Sequence, residues 1–465
     1  MVIRRVVAAL LSLIVMTSCD GTANPQASST ASRKEEKPEP FEAIAEVKPP
    51  HFKPQLTVKN IQRCLYKEQV DIDSIAGLYL GPNDLIEGEV ENSRELEFDA
   101  STAELLEPKA FAKVLTELDV DIEEDDIVTT KALAWALGVT PRGRNVNAFI
   151  RGEGSGLIAG FYSPRTGRIV IEQRGKLDSE YVTMAHEFVH AATDQAFGIP
   201  RKKVEPIVDD LSLATSSVVE GDASLTELRV SSRLAPPKAV EKGVRALVDY
   251  KRTFKKDRSA GVPYLLIDTS LFPYQWGPAF TCAIYKERGW PAVNRMYAHP
   301  PTSSAQVLFP QRFLEREKPL KTLPLKRPGQ LWQLRDQGQL GAAHLKALFE
   351  APGDQEGKAL TWPLGRAASW GGGSYKVWTV GSAKAEYVVG LSLAEHKEFD
   401  GLLCSSMSTW YRVAFEEAKR VLVADRTTEM PGIDQDAILS CRGNKVTMAF
   451  GPDIEFLRRV IGLDK

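Results

Sequence analysis

The sequence predicts an α+β protein: a mainly helical central unit with a β-hairpin or small sheet over residues 59–328, then a smaller α+β unit over 329–465. Three observations carry this expectation. Two long stretches, 178–198 and 211–234, read as helices, the first with apolar residues at helical spacing. Between two short apolar runs, 156–162 and 168–172, stands a turn containing Pro164 and Gly167, which marks a hairpin. Beyond Pro328 the pattern changes to strand-like apolar runs at 387–391 and 445–450, with helical stretches at 408–423 and 453–461.

At 465 residues, 43% hydrophobic and 26% charged, the chain has apolar material for two or three globular domains. A formal net charge of −2 and the lack of any basic block argue against nucleic acid as a partner. Oligomeric state has no signature in the sequence.

The N-terminus points to export. Arg4 and Arg5 precede an apolar run from Val6 to Val15, too short to span a bilayer but suited to a secretory signal. Met16-Thr17-Ser18-Cys19 follows and resembles a bacterial lipobox, which implies a signal over 1–18 and lipidation of Cys19. An ordinary secretory signal with an incidental cysteine is the alternative. The lipobox reading makes the protein an exported lipoprotein facing the periplasm or the cell surface, with the leaflet open. Residues 19–58, rich in Ser, Thr, Pro, Lys and Glu with few large apolar groups, read as a disordered tether.

Cysteine usage fits that compartment. Apart from Cys19 there are four, Cys64, Cys282, Cys404 and Cys441. Of the three ways to pair them, Cys64 with Cys282 and Cys404 with Cys441 is the preferred one; free buried thiols are the alternative.

The stretch 61–125 reads as a helical approach segment, with a helix at 101–118, Ser101 as its N-cap and Glu104 completing a capping box. The hairpin comes next. It serves either as an edge along which a peptide adds as a strand or as a lid on the core. Asp178 or Ser179 can cap the helix after it, whose apolar face is Val182, Ala185, Val189, Ala192 and Ala196, ending near Gly198. This helix carries His186-Glu187-Phe188-Val189-His190, an H-E-x-x-H pattern. Histidines four apart lie one above the other, so both imidazoles reach one Zn2+ ion, with Glu187 beside them as general base.

Zinc in a hydrolase takes three protein ligands and keeps a fourth position for water. Thirty residues after His190, Glu220 stands in a second helix opened by Asp209-Asp210, and the spacing suits a returning antiparallel helix. Small residues at Gly221 and Ala223 allow close approach. Here the chain resembles the gluzincins, zinc metallopeptidases with H-E-x-x-H followed on a second helix by E-G-x-A or E-x-x-x-D. The run His186–Asp194 is similar to the metal helix of the thermolysin family, and Asp194 reads either as a partner of the ligands or as a solvated carboxylate. Ser224 stands four residues after Glu220, so E-G-x-A fits better and His186 is left without an assigned carboxylate partner. The resemblance implies a zincin-like fold for the central unit, one zinc ion held by His186, His190 and Glu220, and hydrolysis of a peptide or protein substrate.

A longer resemblance, to a group of exported bacterial HExxH lipoproteins, runs through Gly160-Phe161-Tyr162, Pro273–Gly277, Gly289-Trp290 and Pro300–Pro310. Ala305 and Phe309 depart from that group, which usually has Glu and His there. Tyr274, expected on a loop before a helix over 278–288, is the candidate oxyanion donor, with Tyr162 the runner-up; either can equally be a core aromatic. His299 is a candidate cleft residue, His51, His344 and His396 read as surface residues, and Gly371-Gly372-Gly373 reads as a turn. The favoured activity is that of a membrane-anchored zinc endopeptidase; the alternative is an envelope lipoprotein that keeps the fold for binding or assembly.

Overall fold

The computed structural model describes residues 55–71, 81–99, 103–117, 124–140, 159–175, 177–199, 209–249, 261–381, 386–416, 418, 421–424, 426–432 and 435–463. The expected signal, Cys19, His51, Ser101 and nearly all of the expected tether lie outside these residues.

The described chain is mixed α and β, with a helical region followed by a larger antiparallel sheet. In order, the elements are α1 (Val58–Gln62), α2 (Pro82–Arg94), β1 (Glu104–Leu106), α3 (Pro108–Glu117), α4 (Glu124–Ala136), β2 (Gly160–Tyr162) and β3 (Ile169–Glu172). Then come α5 (Leu177–Phe197), α6 (Asp210–Leu234), α7 (Pro237–Val248), α8 (Tyr264–Arg288), α9 (Trp290–Ala298), α10 (Ser304–Leu308) and α11 (Pro310–Leu314). The C-terminal part holds β4 (Gln333–Gly338), α12 (Ala342–Glu350), α13 (Pro363–Ala367), β5 (Trp370–Val380), β6 (Glu386–Glu395) and α14 (Leu402–Ala414). It closes with β7 (Val421–Ala424), β8 (Thr427–Met430), β9 (Asp436–Arg442), β10 (Lys445–Gly451) and α15 (Ile454–Val460).

The hairpin forms as expected, with Gly160 opposite Ile171 and Tyr162 opposite Ile169. Its sheet has the order β1-β3-β2, because β1 adds to β3 in parallel. The expected helix at 101–118 is therefore wrong in its first half: residues 104–106 form a strand, and α3 starts only at Pro108. Pairing with β3 outweighs the local capping signal, and Glu104 binds Arg168 across the strands instead of capping a helix.

Helices α5 and α6 form the centre of the helical region. α5 already starts at Leu177, so Asp178 and Ser179 lie in its first turn rather than at the cap. Val182, Ala185, Val189 and Ala192 are buried, whereas Ala196 is exposed. Asp209 is the N-cap of α6, accepting from the Ser212 N–H at 3.1 Å. A fully buried pair fixes α6 against α2: Arg94 Nε donates to Asp222 at 2.8 Å. Trp290 packs against this guanidinium, 4.3 Å from ring centroid to Cζ, and Tyr297 donates to the same carboxylate at 3.0 Å.

The closest helix crossing is α6 with α8. A Cβ at Gly221 would stand 2.4 Å from the Gly277 carbonyl carbon, and one at Gly277 would stand 2.7 Å from the Ser217 carbonyl oxygen. Only two glycines let the backbones meet at this distance. Ala223 instead faces the cluster that α5 contributes to, with Ala185 and Val189. α8 runs unbroken through Pro273 and Pro278, so Tyr274 is mid-helix and not on a loop. Each proline removes one helical hydrogen bond, but Phe272, Trp276 and Phe280 are buried in the core and hold the helix together.

The larger sheet is antiparallel, in the order β4-β5-β6-β10-β9-β8-β7. Two expectations fail here. Gly371-Gly372-Gly373 is not a turn but the start of β5, which pairs with β6 through a bulge between Trp370 and Gly372. Its glycines admit neighbouring backbone: Cβ atoms at Gly372 and Gly373 would come within 2.2 Å of Leu320 O and 2.1 Å of Leu340 O. The helix expected at 408–423 is α14, six residues earlier, and 421–424 is the edge strand β7.

One hydrophobic cluster runs from Ile61 and Trp276 to Leu391, Trp410 and Phe450, so the boundary expected at 328/329 is packed across. The structure bonds Cys64 to Cys282 and Cys404 to Cys441, with Cα separations of 5.9 and 6.0 Å. His344 and His396, expected at the surface, are buried. Both have partners distant in sequence or supplied by local turns. The His344 Nδ1 accepts the Gly341 N–H at 3.2 Å, and His396 Nε2 lies 3.3 Å from Glu317.

The Ser-containing segment after Pro300-Pro301 joins the helical region to the C-terminal part. Asp210, at the start of α6, accepts from the Ser304 N–H at 2.9 Å, and its carboxylate occupies the space above Gly341 at the start of α12. Burial pushes this carboxyl up to about 7.

Candidate metal centre

His186 and His190 stand one turn apart on α5 and turn their rings to α6. Nε2 of His186 lies 3.1 Å, and Nε2 of His190 3.4 Å, from the same oxygen of Glu220. One ligand atom from each residue lies within 4.8 Å of the others, so the three can hold a metal ion. A second carboxylate, Glu227, approaches His186 from the other side, with Oε2 3.1 Å from Nδ1. His186 reaches Glu227 as well as Glu220, while His190, one turn later on α5, meets Glu220, so the two helices run antiparallel.

The donor chemistry fits a cation. His186 faces a carboxylate oxygen from each ring nitrogen, and carboxylates only accept. Either both nitrogens carry protons or a cation lies between Nε2 and Glu220. Without a metal the proton takes that place: burial pushes the imidazole down, but hydrogen bonds to Glu220 and Glu227 outweigh it and hold it well above its ordinary value. Burial likewise works to raise Glu220, yet the charge of His190 and the bonds from both imidazoles keep its carboxyl well below the usual range. A divalent ion would displace the proton between His186 Nε2 and Glu220 and keep all three donors.

In comparisons with family models, curated proteins and solved structures, nothing matches this chain.

Glu187 is buried beside the imidazoles. Burial raises its carboxyl, the two histidines lower it, Glu220 raises it again, and the Tyr162 backbone N–H stabilises the charged form. That contact follows from strand parity. Ser163 and Glu172 donate to Arg168 O and Ala159 O across the hairpin, so the N–H and C=O of Tyr162 point to the outer side of β2. β2, not β3, is thus the edge strand beside the metal-ligand helix.

Tyr274 enters from α8. Its ring stacks near His186 at 6.2 Å between centroids and 24° between planes. The charge of Glu220, then burial and the charge of Glu187, push its phenol well above the ordinary value, and its hydroxyl bonds to Glu220. It is a neutral donor at the cluster. The Gly221–Gly277 crossing explains the placement: Tyr274 lies one turn before Gly277, and Glu220 next to Gly221.

The other candidates are not brought in. The Tyr162 hydroxyl donates to Asp194 at 2.9 Å, and Asp194 also accepts from the Ile199 N–H at 2.7 Å, capping the end of α5. Asp194 therefore ties the edge strand to the helix and touches neither imidazole through these bonds. His299 is exposed at the C-cap of α9. Glu227 is the residue that sequence reasoning missed. The signal was a carboxylate seven residues after Glu220, which shares its helix face as closely as one at the fourth residue does.

Proposed function

We propose that the protein is a zinc-dependent endopeptidase of the bacterial cell envelope, anchored through Cys19. The observation that supports this best is the convergence of His186, His190 and Glu220 with the buried carboxylate of Glu187 alongside. Two neutral imidazoles and one carboxylate leave zinc a net positive charge and suit its borderline-soft character. Bound there, zinc supplies Lewis acidity, lowering the pKa of water toward about 7 and polarising a carbonyl.

The remaining chemistry belongs to the chain. Glu187, with its carboxyl raised by burial, accepts a proton from the attacking water and passes it to the leaving amine. Tyr274, kept neutral by the charge of Glu220, donates to the developing oxyanion. In this reading an extended peptide adds as a strand at the sheet edge formed by β2, the first strand of the hairpin that precedes the metal-ligand helix. Among the described residues no helix is long and apolar enough to cross a membrane, so attachment in this reading rests on the lipidated N-terminus.

The test uses purified protein and casein as an unfolded substrate. The proposal expects about one zinc per chain and cleavage that Glu187→Ala abolishes while the metal stays. Zinc without cleavage of any protein or cell-wall peptide would favour a binding or assembly role, and absence of zinc would overturn both.

A further inference from the structure

α6 brings a second carboxylate to the metal-ligand group. Glu227 follows Glu220 by seven residues, two turns along the helix and on the same face, displaced by roughly 10 Å. Between them lies the His186 ring, with Nε2 3.1 Å from Glu220 and Nδ1 3.1 Å from Glu227. One helix therefore grips this imidazole at both nitrogens. His190 differs, because its Nδ1 is buried and has no hydrogen-bond partner among the described residues.

We propose that Glu227 is a positioning residue: it accepts the Nδ1 proton of His186, fixes the tautomer with its lone pair on Nε2, and makes His186 the anchoring ligand. This inference rests on the zinc reading and adds to it a division of labour between the two histidines. Among the described residues, the ion pair of Glu227 is with His186. The 3.1 Å approach is on the side of the ring away from Glu220, so occupation of the site by an ion leaves it intact. A carboxylate on the second nitrogen also makes the ring a more basic ligand. The sequence pattern E-x-x-x-D would put this carboxylate at the fourth residue, where Ser224 stands. Here it is supplied one turn further along.

The experiment is zinc titration of the full chain in detergent, in competition with a chromogenic chelator, together with thermal unfolding of the metal-free protein. Glu227→Ala is expected to weaken zinc binding roughly 10- to 100-fold with the metal-free melting temperature unchanged. Glu227→Gln, whose amide oxygen still accepts the Nδ1 proton, is expected to lose less. His186→Ala should cost more affinity than His190→Ala, and that gap should close in the Glu227→Ala background. Wild-type affinity in Glu227→Ala would overturn the inference. So would equal losses in the Ala and Gln variants accompanied by a lower metal-free melting temperature, which would mark a structural role. A wild-type chain that binds no zinc would instead overturn the proposed function.

Discussion

The crossing of α6 and α8 places two functional groups at once, and a single methyl group tests it. In Gly221→Ala the new Cβ would stand 2.4 Å from the Gly277 carbonyl carbon and 2.5 Å from its oxygen. Carbon atoms in contact prefer about 3.5–4.0 Å, so the helices must part by more than 1 Å. The obstacle is backbone, which cannot rotate away. Overpacking of this kind costs about 3 kcal/mol, the upper end of the usual range, while alanine in place of glycine returns about 1 kcal/mol of helix propensity. The net expectation is about 2 kcal/mol of destabilisation. The functional effect should be larger than the stability effect, because parting the helices draws Tyr274 away from Glu220 and His186. Thermal unfolding and peptide hydrolysis, measured on Gly221→Ala and Gly277→Ala, check this. A variant with wild-type melting temperature and wild-type turnover would refute the reasoning.

Three further outcomes follow from buried charge. Asp222→Ala leaves the fully buried Arg94 guanidinium without its partner and should cost about 3–5 kcal/mol, read by thermal unfolding; an unchanged melting temperature would mean that the pair is not buried. Asp210 binds its proton more tightly in the folded protein, at about 7 against an ordinary 3.8, so its contribution is complete below about pH 4 and lost as pH rises through 7. That amounts to about 4 kcal/mol over this window, and a pH series of unfolding measurements should show the slope in wild type and not in Asp210→Asn. Glu187→Gln, isosteric but unable to take a proton, should lower the rate of peptide hydrolysis about 10²- to 10⁴-fold with zinc content unchanged; a smaller loss would assign the base elsewhere.

What could be read from the sequence follows periodicity and spacing. His186, His190 and Glu220 were legible because helical geometry turns four-residue spacing and a thirty-residue return into a shared face. The hairpin was legible from its turn, and the disulfide pairs agree with the preferred connectivity. Most of the failures share one cause, which is the dependence of a local signal on a distant partner. Pro273 and Pro278 punctuate an exposed helix but not one whose Phe272, Trp276 and Phe280 are held in the core. Gly371–Gly373 looked like a turn because the backbone they admit, at Leu320 and Leu340, comes from other parts of the chain. Residues 104–106 carry helix-start residues yet pair with β3. His396 is polar and buried because Glu317, far along the chain, meets its Nε2, whereas the His344 Nδ1 is met locally by the Gly341 N–H. Glu227 has a different reason: the family pattern places a carboxylate at the fourth residue after Glu220, whereas here the seventh, which the helix returns to the same face, carries it.

The most direct test of the account is an anomalous-scattering experiment at the zinc edge on crystals of the zinc-loaded protein. The account predicts one strong peak bonded to Nε2 of His186, Nε2 of His190 and a carboxylate oxygen of Glu220. A peak elsewhere, or none at these three residues in a protein that contains zinc, would contradict it.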